Sequence, residues 1–141
     1  MVEGTKYFID TNVFLRPLVK DDPIKTKECQ VFFEKIEKKE IKAFTSNLVL
    51  AEFIWTGQSF YKIKKKELLE ALKGILGLQG LQVLDNHNPA IALEIWRKIN
   101  VKFIDALIAS DPRIFKKEVI VVSYDRDFDK IGVLRKEPKE F

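Results

Sequence analysis

Four acidic residues stand where an ionised carboxylate is costly. Asp10 closes the apolar run Lys6-Tyr7-Phe8-Ile9, and Asp125 follows Val119-Ile120-Val121-Val122-Ser123-Tyr124. Glu52 is embedded in Leu48-Val49-Leu50-Ala51-Glu52-Phe53-Ile54-Trp55, and Asp105 in Phe103-Ile104-Asp105-Ala106-Leu107-Ile108. Charged groups in such company are rarely buried without a partner. Taken singly, each has an ordinary structural use: Asp10 and Asp105 as caps, Asp125 in an Asx-turn, Glu52 paired with a lysine. Taken together those uses weaken, because Glu52 and Asp105 occupy apolar helix faces and no lysine or arginine near them in sequence is expected to pair with them.

Two carboxylates about 4 Å apart repel by roughly 4 kcal/mol at an effective dielectric of 20. A cluster of four would therefore take up protons or hold a cation. An all-oxygen donor set selects Mg²⁺ or Mn²⁺, and Mg²⁺ keeps several of its waters. A water held in this way is suited to attack on a phosphodiester, with the ion also neutralising charge on the phosphate oxygens. A Cys/His zinc framework is excluded by composition, since the chain has one cysteine, Cys29, and one histidine, His87.

Positioning these residues requires an alternation of short strands and helices. Lys6–Ile9, Lys42–Thr45, Leu81–Leu84 and Glu118–Tyr124 have strand character, and a last short strand is expected around Val133-Leu134. Asp22-Pro23 has the form of a cap and first helical residue, opening a helix whose Cys29, Phe32, Phe33 and Ile36 make one apolar stripe. Ser46 is the expected cap of a helix from about Asn47 to Phe60. Leu68, Leu72, Ile75 and Leu76 predict another helix closing near Gly77 and Gly80, and Asn88-Pro89 opens one carrying Ile91, Ile95 and Ile99. Phe103 to Ser110 is expected to be helical, with Pro112 as its stop. Alternation of this kind favours a parallel sheet with helical crossovers. In such sheets ligands bind at the carboxyl ends of the strands, where Asp10 and Asp125 fall.

At 141 residues and 46% hydrophobic, with eleven phenylalanines, the chain suits a single domain over residues 1–141. The apolar stretches are too short and too often interrupted by acids to span a membrane. The N-terminal residues lack the pattern of a signal peptide, so a cytoplasmic location is expected. A net charge of +4 is compatible with a polyanionic partner and does not by itself point to one.

Four segments, in order and covering nearly the whole chain, carry a resemblance. Phe8-Ile9-Asp10-Thr11-Asn12-Val13, Leu50-Ala51-Glu52-Phe53, Phe103-Ile104-Asp105-Ala106-Leu107-Ile108-Ala109 and Val122-Ser123-Tyr124-Asp125-Arg126-Asp127-Phe128 resemble the PIN-domain pattern, in particular that of VapC-type toxin nucleases. The resemblance implies a three-layer α/β/α sandwich on a central parallel sheet of about five strands. It implies that Asp10, Glu52, Asp105 and Asp125 meet at the carboxyl edge of that sheet as a catalytic and metal-holding quartet for Mg²⁺ or Mn²⁺. Asn12 and Ser123 match positions that orient those carboxylates, and Asp127 matches an auxiliary acid beside them. The implied activity is hydrolysis of RNA phosphodiesters as an endoribonuclease, with a small antitoxin protein and a second copy of the chain as partners.

Two other functions of the same fold stand as alternatives: an RNA-processing nuclease without an antitoxin, and a catalytically silent RNA- or protein-binding module. An intact quartet argues against the silent module. A phosphoryl-accepting receiver would need an adjacent acidic pair after the first strand, whereas Asp10 is followed by Thr11-Asn12; a phosphatase of the strand-terminal aspartate type would need an acid where Asn12 stands. Lys62, Lys64, Lys65 and Lys66, beside Phe60 and Tyr61, form either a phosphate-tracking patch or a plain solvated helix start. Trp55 and Trp96 are expected in the core or at a dimer interface, Cys29 in the core, and His87 exposed and inert.

Overall fold

The computed structural model describes residues 6–141. In chain order the elements are β1 (Tyr7–Ile9), α1 (Thr11–Val19), α2 (Pro23–Glu37), β2 (Ala43–Thr45), α3 (Asn47–Ser59), α4 (Lys65–Leu76), β3 (Leu81–Val83), α5 (Pro89–Lys98), α6 (Phe103–Ala109), α7 (Pro112–Phe115), β4 (Ile120–Val122), α8 (Asp127–Ile131) and β5 (Arg135–Lys136). A 3₁₀ turn, Pro138–Glu140, follows. The strands form one sheet in the order β3-β2-β1-β4-β5, with every neighbouring pair parallel. Helices flank this sheet, as the alternation of the sequence predicts. No helix among the described residues is long and apolar enough to cross a membrane.

The strand order explains where a site can form. From β1 the chain builds outward through β2 and β3, then returns to add β4 and β5 on the other side of β1. Loops leaving the carboxyl ends of β1 and β4 therefore diverge and open a crevice between neighbouring strands. Register holds the two ends level, with Ile9 opposite Val122. The Asp10 N–H donates to the Val122 carbonyl at 3.0 Å, extending the ladder to the first acidic residue.

Below that edge the sheet is sealed by apolar packing. Phe8, Ile9, Phe44, Val121 and Val122 are fully buried, together with Phe32 and Ile36 from α2, Phe53 from α3 and Ile108 from α6. Phe8 and Phe44 pack edge to face across β1 and β2 at 5.3 Å between ring centres. Each such side chain contributes roughly 1.5–3 kcal/mol through burial, so the strands are fixed although each is only two or three residues long.

Caps at Asp22, Ser46 and Asn88 lie where the sequence places them; each side chain accepts an N–H from the first turn of its helix. Other expectations need correction. The segment after Asp10 is helical as α1, with Pro17 inside it, and the proline masks its helical pattern in the sequence. Pro112 ends α6 and also opens α7, capped by Asp111; α8 has no counterpart among the expected elements. The last strand is Arg135–Lys136, two residues beyond the expected Val133-Leu134. Trp55 and Trp96 are 68% and 51% exposed and so are not core residues. His87 is half-buried, its ring edge to face with Phe8 at 6.1 Å, because the turn carrying it folds back on the sheet. Cys29 is buried as expected, with its thiol 3.3 Å from the Tyr124 hydroxyl.

Candidate active site

Each of the four acids is placed by a different element. Asp10 follows β1 and caps α1, where its Oδ1 accepts the Thr11 N–H at 2.8 Å. Its Oδ2 accepts from the Ser123 hydroxyl at 2.7 Å and from the Asn12 amide at 3.3 Å. The Asn12 amide also donates to Ser123 Oγ at 3.0 Å, and its Oδ1 accepts the Tyr124 N–H at 3.2 Å. Asn12 and Ser123 thus stitch the end of β4 to the start of α1 and fix the Asp10 carboxylate between them.

Asp125 lies past β4, where its N–H donates to Ser123 Oγ at 2.9 Å and its Oδ1 accepts the Asp127 N–H at 2.9 Å. Glu52 comes from the second turn of α3, and its Oε1 accepts from the Thr11 hydroxyl. Asp105 lies in the first turn of α6 and is buried. All four carboxylates line one pocket of about 160 Å³ together with Thr11, Asn12, Leu15, Thr56, Tyr61 and Lys102. Asp127 sits slightly apart from that lining, yet Asp105, Asp125 and Asp127 each offer an oxygen within 4.8 Å of the other two. The auxiliary acid is therefore as close to Asp105 and Asp125 as a shared cation would require.

One expectation about these acids is overturned. Lys102, three residues before Asp105, places its Nζ 3.6 Å from Asp105 Oδ2 and 2.9 Å from Asp125 Oδ2. The i,i+3 spacing at a helix start was legible in the sequence; the contact with Asp125, twenty-three positions away, was not. Thr11 and Tyr61 were also missed as pocket residues. Thr11 could be found only by recognising α1, and Tyr61 only from the way α3 ends.

The electrostatics follow from burial. Desolvation pushes the Asp10 carboxyl up to about 6; hydrogen bonds from Ser123 and Thr11 oppose this, and the negative charges of Glu52 and Asp125 add to it. Asp105 is pushed up to about 8, again chiefly by burial, which the Lys102 ammonium only partly offsets. For Asp125 burial also raises the carboxyl, but the Asp127 N–H and the Lys102 ammonium outweigh it and hold the group below its ordinary range. Burial works against the charge on Lys102, and its hydrogen bond to Asp125 and attraction to Asp105 reverse the balance, so it stays protonated. Two neighbouring carboxyls shifted in this way, chiefly by burial and further by nearby carboxylates, mark the pocket as a functional-site candidate. Asp105 Oδ2 is buried and accepts no hydrogen bond, the Lys102 ammonium at 3.6 Å being its ion-pair partner. The all-oxygen donor set and this atom fit Mg²⁺ or Mn²⁺.

The PIN domain family matches residues 7–134, and the chain belongs to this family. Within it, the chain is 29% identical to Ribonuclease VapC2 of Methanocaldococcus jannaschii, over 94% of this chain and 93% of the relative. Among solved structures it resembles VapBC2 from Rickettsia felis bound to a DNA fragment from the pair's promoter, with a TM-score of 0.65, 22% identity and coverage of 93% and 97% of the two chains. It also resembles VapC20 of Mycobacterium tuberculosis, a sarcin-ricin-loop-cleaving toxin, with a TM-score of 0.63, 17% identity and coverage of 91% and 96%.

Proposed function

We propose that this protein is an endoribonuclease dependent on Mg²⁺ or Mn²⁺ that hydrolyses RNA phosphodiesters, with Asp10, Glu52, Asp105 and Asp125 as its catalytic and metal-holding residues. The observation that carries the reading is the meeting of these four carboxylates, from four different elements, in one pocket with a buried Asp105 oxygen that accepts no hydrogen bond. A divalent ion held there supplies an acidified water and neutralises the phosphate charge. The chain's own residues do the rest. Ser123 and Asn12 keep Asp10 aimed at the pocket, Thr11 aims Glu52, and the Asp127 backbone fixes Asp125.

The approach of RNA is supported by the rim. Tyr61 lines the pocket and is 40% exposed, Phe60 packs edge to face against it at 4.9 Å, and Lys62, Lys64, Lys65 and Lys66 are at the surface alongside. Aromatic faces take unstacked bases while ammonium groups follow the phosphates, so a single-stranded segment suits this edge.

The biological role that best fits the relatives is the toxin of a toxin–antitoxin pair, with a small antitoxin as partner. Self-association as a homodimer is supported by an exposed apolar strip on α5 and α6, where Leu93, Trp96 and Phe103 are about half exposed and Trp96 packs edge to face with Phe103 at 5.5 Å. The decisive experiment compares the parent with Asp10→Asn. Asparagine can still cap α1 but contributes no charge to the pocket, so cleavage of single-stranded RNA in Mn²⁺ or Mg²⁺ should disappear while the thermal melt is preserved. Growth arrest on induced expression should disappear with it, and the parent's toxicity should be relieved by co-expressing the antitoxin. An Asp10→Asn protein that cuts RNA at the parent's rate ends the assignment.

A further inference from the structure

Lys102 is the single basic residue among the described residues that line the acidic pocket. Its Nζ lies 2.9 Å from Asp125 Oδ2 and 3.6 Å from Asp105 Oδ2, so the ammonium bridges two of the carboxylates assigned above to a metal ion. A small divalent ion bound by the same pair would be drawn to the same negative space, and two cations a few ångströms apart repel strongly in a partly desolvated site. Among the described residues, the ion pairs of the Lys102 ammonium are with these two carboxylates alone. Lys102 stands at the N-cap of α6 without capping the helix, and its side chain is 63% exposed. Rotation about its flexible stem returns the ammonium to solvent without disturbing the fold.

We propose that Lys102 is a tethered competing cation: its ammonium, paired with Asp125 and 3.6 Å from Asp105, fills the space between these carboxyls and must leave it before that pair can hold a divalent ion, so that this one residue sets the metal affinity of the site. Lys102 is thus a positioning residue whose effect reaches the reaction through the carboxylates. The inference rests on the metal-dependent reading of the site. It goes further in making the resting charge balance of the pocket internal to the chain, and it predicts that removing a positive charge from the protein strengthens the binding of a positive ion.

The test is calorimetric titration of Mn²⁺ into the parent and into Lys102→Met, Lys102→Gln and Lys102→Arg at one pH and ionic strength. Met and Gln should tighten binding by about tenfold, equivalent to about 1.4 kcal/mol, whereas Arg, which keeps the charge, should not tighten it. Without metal the Met variant should melt below the parent, and saturating Mn²⁺ should raise its melting temperature by more than the parent's. If Met fails to fold, Gln makes the same comparison while retaining a donor to Asp125. Equal or weaker Mn²⁺ binding in the neutral variants overturns the inference and leaves the functional reading standing. The inference is likewise overturned if Lys102→Met changes only the KM for RNA. Absence of Mn²⁺ binding in every protein overturns both.

Discussion

At the scale of single residues, the site is a set of carboxylates whose burial and mutual repulsion are only partly relieved by hydrogen bonds. This gives it a pH signature whose sign is fixed. Asp10 and Asp105, at about 6 and about 8, sit above the ordinary carboxyl value of 3.8, so the folded chain holds more protons than the unfolded one between these limits. Stability from these two groups is therefore full below about pH 4 and falls as the pH rises through 8. Asp125, held below its ordinary value, has the opposite effect at the acidic end, and so does His87, whose burial lowers it from 6.5. Comparison with Asp105→Asn isolates the site. Between pH 5 and 8 in chelator, the melting temperature of the parent should decline relative to that variant. Saturating Mn²⁺, which competes with those protons, should stabilise the parent more at pH 8 than at pH 5. A parent that gains stability relative to Asp105→Asn over this range contradicts the burial-driven shifts.

Secondary elements differ in how fully the sequence announces them. Helices α2, α3 and α5 begin with side-chain caps that are local and therefore visible: Asp22 before Pro23, Ser46 before Asn47, Asn88 before Pro89. The start of α1 was not visible, because its cap is Asp10, a residue already accounted for as an acid at the end of a strand, and because Pro17 lies inside the helix. The same overlap concealed Thr11, whose hydroxyl reaches Glu52 from forty-one positions away. Joints between elements carry constraints that no periodicity expresses. Gly80, just before β3, is buried where an added Cβ would meet the Ile36 and Ile41 carbonyl oxygens at 2.4 and 2.8 Å. Both obstacles are backbone, so Gly80→Ala should destabilise the chain by about 1–3 kcal/mol in urea denaturation. Gly57→Ala should cost less, because the nearest obstacle there is the Leu68 side chain, which is buried but can shift further than backbone can. Equal costs at the two positions would mean that the loop before β3 yields more readily than its contacts imply.

For the molecule as a whole, the exposed strip of Leu93, Trp96 and Phe103 lies outside the acidic pocket, so association through it need not close the site. Light scattering should give twice the chain mass of 16.4 kDa, and Trp96→Glu should shift the protein to monomer by placing a charge in the apolar contact. A parent that remains monomeric at high micromolar concentration removes the dimer.

By itself the sequence determined the alternating architecture, the caps that start three helices and the identity of the acids. These depend on local chemistry: a side-chain oxygen within three residues of an orphan N–H, an apolar stripe at helical spacing, a carboxylate embedded in an apolar run. The tertiary structure alone decided that Lys102 joins Asp105 to Asp125, that Tyr61 and Thr11 share the pocket, and that the tryptophans face outward. Those outcomes depend on the strand order, which sets β4 beside β1 and brings residues more than a hundred positions apart to one edge of the sheet.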